Sequence, residues 1–207
     1  MSKRRPFLTA KGLLTNQTFR DIYRTDTLCV TQRLKITSLT FLFTDLKGST
    51  ELYERVGDLI AYDLVQAHFK LLHEIVAAEG GAVVKTMGDA VMASFPTPNR
   101  AVAAALRMRE AIRDLNAEML LKIGIHEGPC LAVMLNERQD YFGQTVNIAS
   151  RVQGIAESQA IFATGRVIGN SDASRVLETS GITPTVRRHS LRGIANEVTI
   201  YEIPSKD

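Results

Sequence analysis

The sequence predicts an α/β (α+β) domain of the ferredoxin-like kind: a βαββαβ core with extra C-terminal strands, its helices packed on an antiparallel sheet. Three observations carry that expectation. An apolar run at 34–44 reads as a buried strand, and helical periodicity follows in two long stretches, 59–79 and 99–116. Between the two helices lies a hairpin at 80–95, with short apolar runs on either side of Gly88-Asp89. Strand–helix–strand, repeated, is the split βαβ plan, which places the helices on one face of the sheet.

Each element has its own local justification. Residues 1–33 differ in character from the rest, with Pro6, Gly12 and a polar tract at 16–18 before a short helical stretch at 19–24. They read as a leader packed on the domain or as the remnant of a linker to an upstream regulatory module, with the main domain expected over 34–204. The first strand carries Leu39, Phe41, Leu42 and Phe43, and a helix capped by Ser49 or Thr50 is expected after it. Gly57-Asp58 breaks that helix from the next, whose stripe is Leu64, Ala67, Phe69, Leu71, Leu72, Ile75 and Val76. Gly80-Gly81 ends it, and Pro96 and Pro98 open the second long helix. A strand at 120–126 is expected to turn at Gly128-Pro129 and pair back over 131–135, with a polar loop at 136–140. A helix at 145–155 buries Val146, Ala149, Val152 and Ile155. Short strands at 160–163 and 198–203, with a small helix near 174–178 between them, complete the expected order.

Composition narrows the function classes. The 207 residues are 45% hydrophobic and 23% charged, ordinary for a globular protein large enough to bury a core. A net charge of +3 is too small to argue for nucleic acid. Its basic clusters, Lys3-Arg4-Arg5 and Arg187-Arg188, read as solvated surface. Cys29 and Cys130 fit neither a disulfide framework nor a zinc site, which points to a reducing compartment. No apolar run reaches the ~20 residues that span a bilayer, and the basic N-terminus lacks a signal peptide's apolar core. A cytoplasmic protein with no membrane segment in this chain is expected.

Two carboxylates stand at the ends of expected strands. Asp45 ends the first, and Asp89 sits at the hairpin turn. The first strand lies centrally in such a sheet, beside the hairpin, so the two can converge. Convergent carboxylates suit Mg²⁺, which shares its octahedron with water and substrate phosphates. Two such ions would polarise the attacking and leaving oxygens of a phosphoryl displacement. Gly48, Ser49 and Thr50 add backbone N–H groups at a helix start, a cradle for phosphate oxygens. Taken singly, the same residues read as a turn former, a hairpin tip and a cap. Asn147 and Arg151, one helical turn apart, share a face away from the apolar stripe. An amide and a guanidinium so placed are either plain surface or a means of holding a ribose and neutralising a reacting phosphate.

The segments FTDLKGST at 43–50, KTMGD at 85–89 and DYFGQTVNIASR at 140–151 together resemble the signature segments of class III nucleotidyl cyclases, in the family's order and spacing. The resemblance covers about residues 38–203. It implies that Asp45 and Asp89, assisted by the Leu46 carbonyl, bind two Mg²⁺ or Mn²⁺ ions. It implies that Lys85 and Asp140 read the purine. An ammonium suits adenine N1 and a carboxylate suits its exocyclic amine, so this pair favours ATP. Asn147 matches the ribose-orienting asparagine and Arg151 the arginine that stabilises the pentavalent α-phosphate. The implied reaction is attack of the ribose 3′-hydroxyl on the α-phosphate, giving 3′,5′-cyclic AMP and pyrophosphate in intracellular signalling. A head-to-tail homodimer is implied too, each site taking metal aspartates from one subunit and the remaining groups from the other. The segment LRGIANEV at 191–198 departs from the family's lysine-bearing loop and offers Arg192 for the terminal phosphates. Other readings are a catalytically silent cyclase-homology module, a guanylate cyclase, or a diguanylate cyclase, whose glycine-rich acidic turn is absent here.

Overall fold

The computed structural model describes residues 9–22, 33–135, 138–156, 160–189, 191, 193–194 and 197–205, with only the backbone of Thr50 and Arg188. Two short helices, α1 (Ala10–Leu14) and α2 (Gln17–Ile22), precede the first strand, β1 (Leu34–Lys47). Then come α3 (Ser49–Val56), α4 (Asp58–Ala78), the hairpin β2 (Ala82–Met87) and β3 (Ala90–Phe95), and α5 (Pro98–Leu115). The second half comprises β4 (Leu120–Leu135), β5 (Arg138–Phe142), α6 (Gln144–Ile155), β6 (Ile161–Thr164), α7 (Gly165–Ile168), α8 (Ser171–Thr179), β7 (Thr185–His189) and β8 (Val198–Ile203).

The eight-stranded sheet runs β2-β3-β1-β4-β6-β8-β7, with β5 attached to β4. Its first four strands are the expected ferredoxin-like set, all antiparallel to their neighbours. The β4–β6 pair is parallel. Alternation along β1 divides the core. Leu42 and Leu46 point to one side, where Leu72, Val76, Val102, Met108, Ile112 and Leu177 of α4, α5 and α8 cover them. Leu39, Phe41 and Phe43 point to the other, against Met92, Tyr141, Ala149 of α6 and Leu14 of α1. The helices therefore lie on both faces, not on one as the pattern suggests.

Three further expectations need correction. Gly128-Pro129 is not a turn: β4 runs unbroken through it, pairing with β1 on both sides. The β1 register shifts between Ile36 and Leu39, opposite Pro129, so the residue that lacks an N–H falls where the ladder is already interrupted. The turn back comes later, and the expected polar loop contains β5, which pairs with residues 131–135 of β4. Finally, neither Ser49 nor Thr50 is the cap of α3. The N-cap is Gly48, in the left-handed region at φ 74°, and no side chain caps the helix.

Glycine explains how closely α6 lies on β4. A Cβ at Gly124 would stand 2.1 Å from the Gln153 nitrogen, and one at Gly128 would stand 2.7 Å from Thr145 Oγ1. Thr145 Oγ1 donates to the Pro129 carbonyl at 2.5 Å. The bare backbone of β4 is thus the seat of the helix that carries Asn147 and Arg151.

Candidate active site

Asp45 continues the row Leu39, Phe41, Phe43 on the α6 side of β1, opposite Lys122 of β4. Asp89 follows Gly88, whose φ of 63° lets the hairpin close tightly enough to bring its tip beside Asp45. The two carboxyls meet. The Asp45 carboxyl is raised above its usual range, first by burial and then by the Asp89 charge, while Lys122 and the Gln153 amide pull the other way. The Gln153 amide nitrogen is buried there without reaching a hydrogen-bond partner. Asp89 Oδ2 is also buried and unpartnered. Two crowded carboxyls with an orphan buried oxygen form a donor set that suits a cation.

The chemistry of the donor set fits a hard divalent ion. Among the described residues no group of three or more His, Cys, Asp or Glu side chains could hold a metal ion. A pair of carboxylates leaves most of an octahedron to carbonyls, water or phosphate, which is how Mg²⁺ is commonly held and transition-metal cages are not. The Leu46 side chain is buried on the opposite face, so that residue can contribute only its backbone.

The start of α3 borders this site. With no side-chain cap, its first N–H groups remain available to an anion. The Tyr53 phenol of the same helix has its pKa raised by burial and by the nearby Asp89, with the Ser49 hydroxyl pulling the other way. Behind the turn, His68 of α4 is fully buried, with neither ring nitrogen hydrogen-bonded. Burial holds its pKa down to about 4, against the pull of Asp89.

Lys85 and Asp140 also meet, at 2.5 Å between Nζ and Oδ2. Lys85 owes its side of the sheet to a bulge. Val83 pairs with Ala93 but Lys85 pairs with Met92, leaving Val84 as the extra residue. Without the bulge Val84 would take the place opposite Met92, and Lys85 would oppose Val91 and point under α4 and α5. Asp140 is nearly buried, and its Oδ1 accepts from the Tyr141 N–H at 2.8 Å.

Asn147 is exposed on α6, and Arg151, one turn on, is half-buried with Nη1 unpartnered. A Cβ at Gly193 would approach that atom to 3.1 Å, so a left-handed glycine gives the guanidinium its room. Arg192, beside it in sequence, lies outside the described residues. No hydrogen bond or ion pair among the described residues joins Asp45–Asp89, Lys85–Asp140 and the Asn147/Arg151 face to one another. Sequence reasoning passed over Tyr53, His68 and Gln153. Tyr53 alone carried a usable signal, since it stands one helical turn after Ser49.

Comparison with known proteins agrees with this geometry. Residues 31–202 match the model of the family described as the adenylate and guanylate cyclase catalytic domain. A relative named adenylate cyclase in Neurospora crassa is 30% identical over 187 residues, covering 78% of this chain and 8% of the relative. Another of that name, from Anabaena cylindrica, is 26% identical over 80% of this chain and 36% of its own length. The chain thus spans only a minor part of the curated relatives it matches. The adenylyl cyclase CyaB of P. aeruginosa superposes with a TM-score of 0.70 at 23% identity, over 85% of this chain and 97% of that one. The guanylate cyclase domain of RhGC from Catenaria anguillulae, solved with GTP, gives 0.71 at 20% identity, over 84% and 100%. By fold, by motif and by the extent of the match, the chain belongs to the adenylate and guanylate cyclase catalytic domain family.

Proposed function

We propose that residues 34–204 form an adenylate cyclase catalytic domain that converts ATP to 3′,5′-cyclic AMP and pyrophosphate, with residues 1–33 as an accessory segment. The observation that carries the reading is the Asp45–Asp89 contact with its orphan buried oxygen. Asp45 and Asp89, with the Leu46 carbonyl, would hold two Mg²⁺ or Mn²⁺ ions. Bound there, such ions polarise a 3′-hydroxyl nucleophile and the leaving oxygen of an in-line displacement. The open start of α3, at Gly48, Ser49 and Thr50, receives phosphate oxygens. Lys85 donates to adenine N1 and Asp140 accepts from its exocyclic amine, so ATP is favoured over GTP. Asn147 orients the ribose, Arg151 neutralises charge gathering on the α-phosphate, and Arg192 binds the terminal phosphates.

Among the described residues no hydrogen bond or ion pair joins these sets of groups within one chain, which supports a head-to-tail homodimer in which each site draws on both copies. Among the described residues no helix is long and apolar enough to cross a membrane. A cytoplasmic setting, where ATP is abundant and an upstream regulatory domain or protein can act, suits this reading.

Incubating the protein with ATP or GTP and Mn²⁺ or Mg²⁺, and identifying the product chromatographically, tests the proposal. Cyclic AMP as the dominant product is expected. Cyclic GMP in its place would reassign the substrate, and no cyclic nucleotide under any condition would favour a silent nucleotide-binding module.

A further inference from the structure

We infer that α1 and α2 clamp the two strands that carry Lys85 and Asp140, with Arg20 as the positioning residue that sets the geometry of base recognition. The inference rests on the reading of Lys85 and Asp140 as the base-recognition pair. Those residues stand on strands that share no ladder among the described residues: β2 pairs only with β3, and β5 only with β4. Something other than the sheet must hold them in register.

Arg20 does so. Its Nη2 donates to the carbonyl of Val84 at 3.3 Å and to that of Gln139 at 3.0 Å. These are the residues immediately before Lys85 and Asp140, and each carbonyl shares its peptide plane with the N–H of the pair residue. Val84 is the bulged residue, left without a partner in the ladder, so a side chain is needed to fix its position. Gln17 adds a second tie. Its Oε1 accepts from the Val83 N–H at 2.6 Å, and its amide donates to Asp21 Oδ1 at 2.8 Å. A third anchors the other strand, where the Tyr141 hydroxyl donates to the Leu14 carbonyl at 3.1 Å. Leu14 itself is buried in the cluster with Phe41 and Tyr141.

Residues 9–22 are therefore bonded to both base-reading strands, although the family match begins only at residue 31. Both carbonyls bond to one nitrogen of a planar guanidinium, whose N–H directions are fixed as those of an ammonium on a flexible stem are not. Small errors in the position of recognition groups are felt in binding and selectivity before they are felt elsewhere.

The test is steady-state kinetics with ATP and with GTP on Arg20→Met, Arg20→Lys and Lys85→Met. Arg20→Met is expected to raise KM for ATP about five-fold and to lower the ATP-over-GTP ratio of kcat/KM about five-fold, while kcat for ATP falls less than about two-fold. Arg20→Lys should lie between it and wild type, since one of the two bonds can be remade. If Lys85→Met collapses the ratio while Arg20→Met leaves both KM and the ratio unchanged, the clamp is refuted and base recognition stands. A ratio untouched by Lys85→Met would refute base recognition itself. An equal loss of kcat for both nucleotides in Arg20→Met, with a lowered melting temperature, would reduce Arg20 to a structural residue and overturn the inference. Should Arg20→Met fail to fold, Gln17→Leu, which removes the tie to Val83 and the bond to Asp21 but keeps Arg20, is read by the same criteria with a smaller expected shift.

Discussion

Asp89 and Lys85 stand four residues apart on one hairpin, yet the pairs they make, Asp89 with Asp45 and Lys85 with Asp140, are opposite in their electrostatics. The first pair sets like charges together, with the Asp45 pKa raised first by burial and then by Asp89, and leaves Asp89 Oδ2 without a partner. The second sets unlike charges together and is already satisfied, at 2.5 Å. The first is therefore costly until a cation arrives, whereas the second must give up a partner before it can take another. Metal binding at the aspartates should be strongly favourable and all-or-none for activity. On the proposed reading, recognition at Lys85 and Asp140 would exchange one set of bonds for another and so would tune selectivity by modest factors.

The largest expected effect breaks the first pair. Asp89→Ala removes half of the cation site and should lower kcat/KM for cyclic nucleotide formation by about 1,000-fold or more. The same change relieves the like-charge crowding between the two carboxyls. Mn²⁺ should then raise the melting temperature of the wild type and leave that of Asp89→Ala unmoved. A variant that stays active, or that still gains stability from Mn²⁺, would remove the metal assignment.

The second prediction asks whether the pairs serve one site or two. Arg151→Ala should by itself cost about 100-fold in kcat through lost stabilisation of the α-phosphate. Under head-to-tail pairing, a mixed dimer of Asp89→Ala and Arg151→Ala subunits has both defects in the same site and leaves the other site intact. Mixing the two inactive proteins under subunit exchange should then restore about a quarter of wild-type activity, since half of the dimers carry one intact site. Two inactive proteins that stay inactive when mixed, despite demonstrated exchange, would place all the groups in one subunit's site.

A smaller effect falls on the satisfied pair. Lys85→Glu with Asp140→Cys should erode the ATP-over-GTP ratio by about ten-fold or more, measured as relative kcat/KM. Unchanged selectivity would leave the Lys85–Asp140 contact a structural ion pair.

What was legible in the sequence follows the range over which each feature is determined. The strand carrying Asp45, the Gly-Asp hairpin and the Asn147/Arg151 spacing are written in consecutive residues, and the structure keeps all three. The failures are long-range. Gly128-Pro129 has turn chemistry, but the bulge in β1 opposite Pro129 and the docking of Thr145 over Gly128 turn it into strand, and both partners are remote in sequence. The bulge at Val84 that sends Lys85 to the α6 face leaves no mark in an apolar run that alternates weakly. His68 looks like a polar residue on a helix and is fully buried because the hairpin tip closes over it. The docking of residues 9–22 depends on the buried Leu14 and on a few bonds from Gln17, Arg20 and Tyr141, a signal that no periodicity carries.

The smallest effect concerns a buried group that, like Lys85–Asp140, is satisfied by its neighbour. His126 lies on β4 with Nδ1 2.8 Å from Thr164 Oγ1. Burial, with a smaller contribution from Arg166, lowers its pKa from 6.5 to about 4. In the folded protein the ring is therefore neutral over a range in which the unfolded chain protonates it. The unfolded state then binds more protons, and stability falls as pH drops from about 6.5 toward 4, by up to about 1.4 kcal/mol per pH unit. His68 shifts in the same direction and Asp45 is raised, so the wild-type curve alone mixes several groups. The difference between wild type and His126→Gln isolates one of them. Denaturant unfolding at pH 7 and pH 5 should show the wild type losing more stability than the variant over that interval. Parallel curves would mean that His126 titrates alike in both states, and that its bond to Thr164 leaves it free to charge in place.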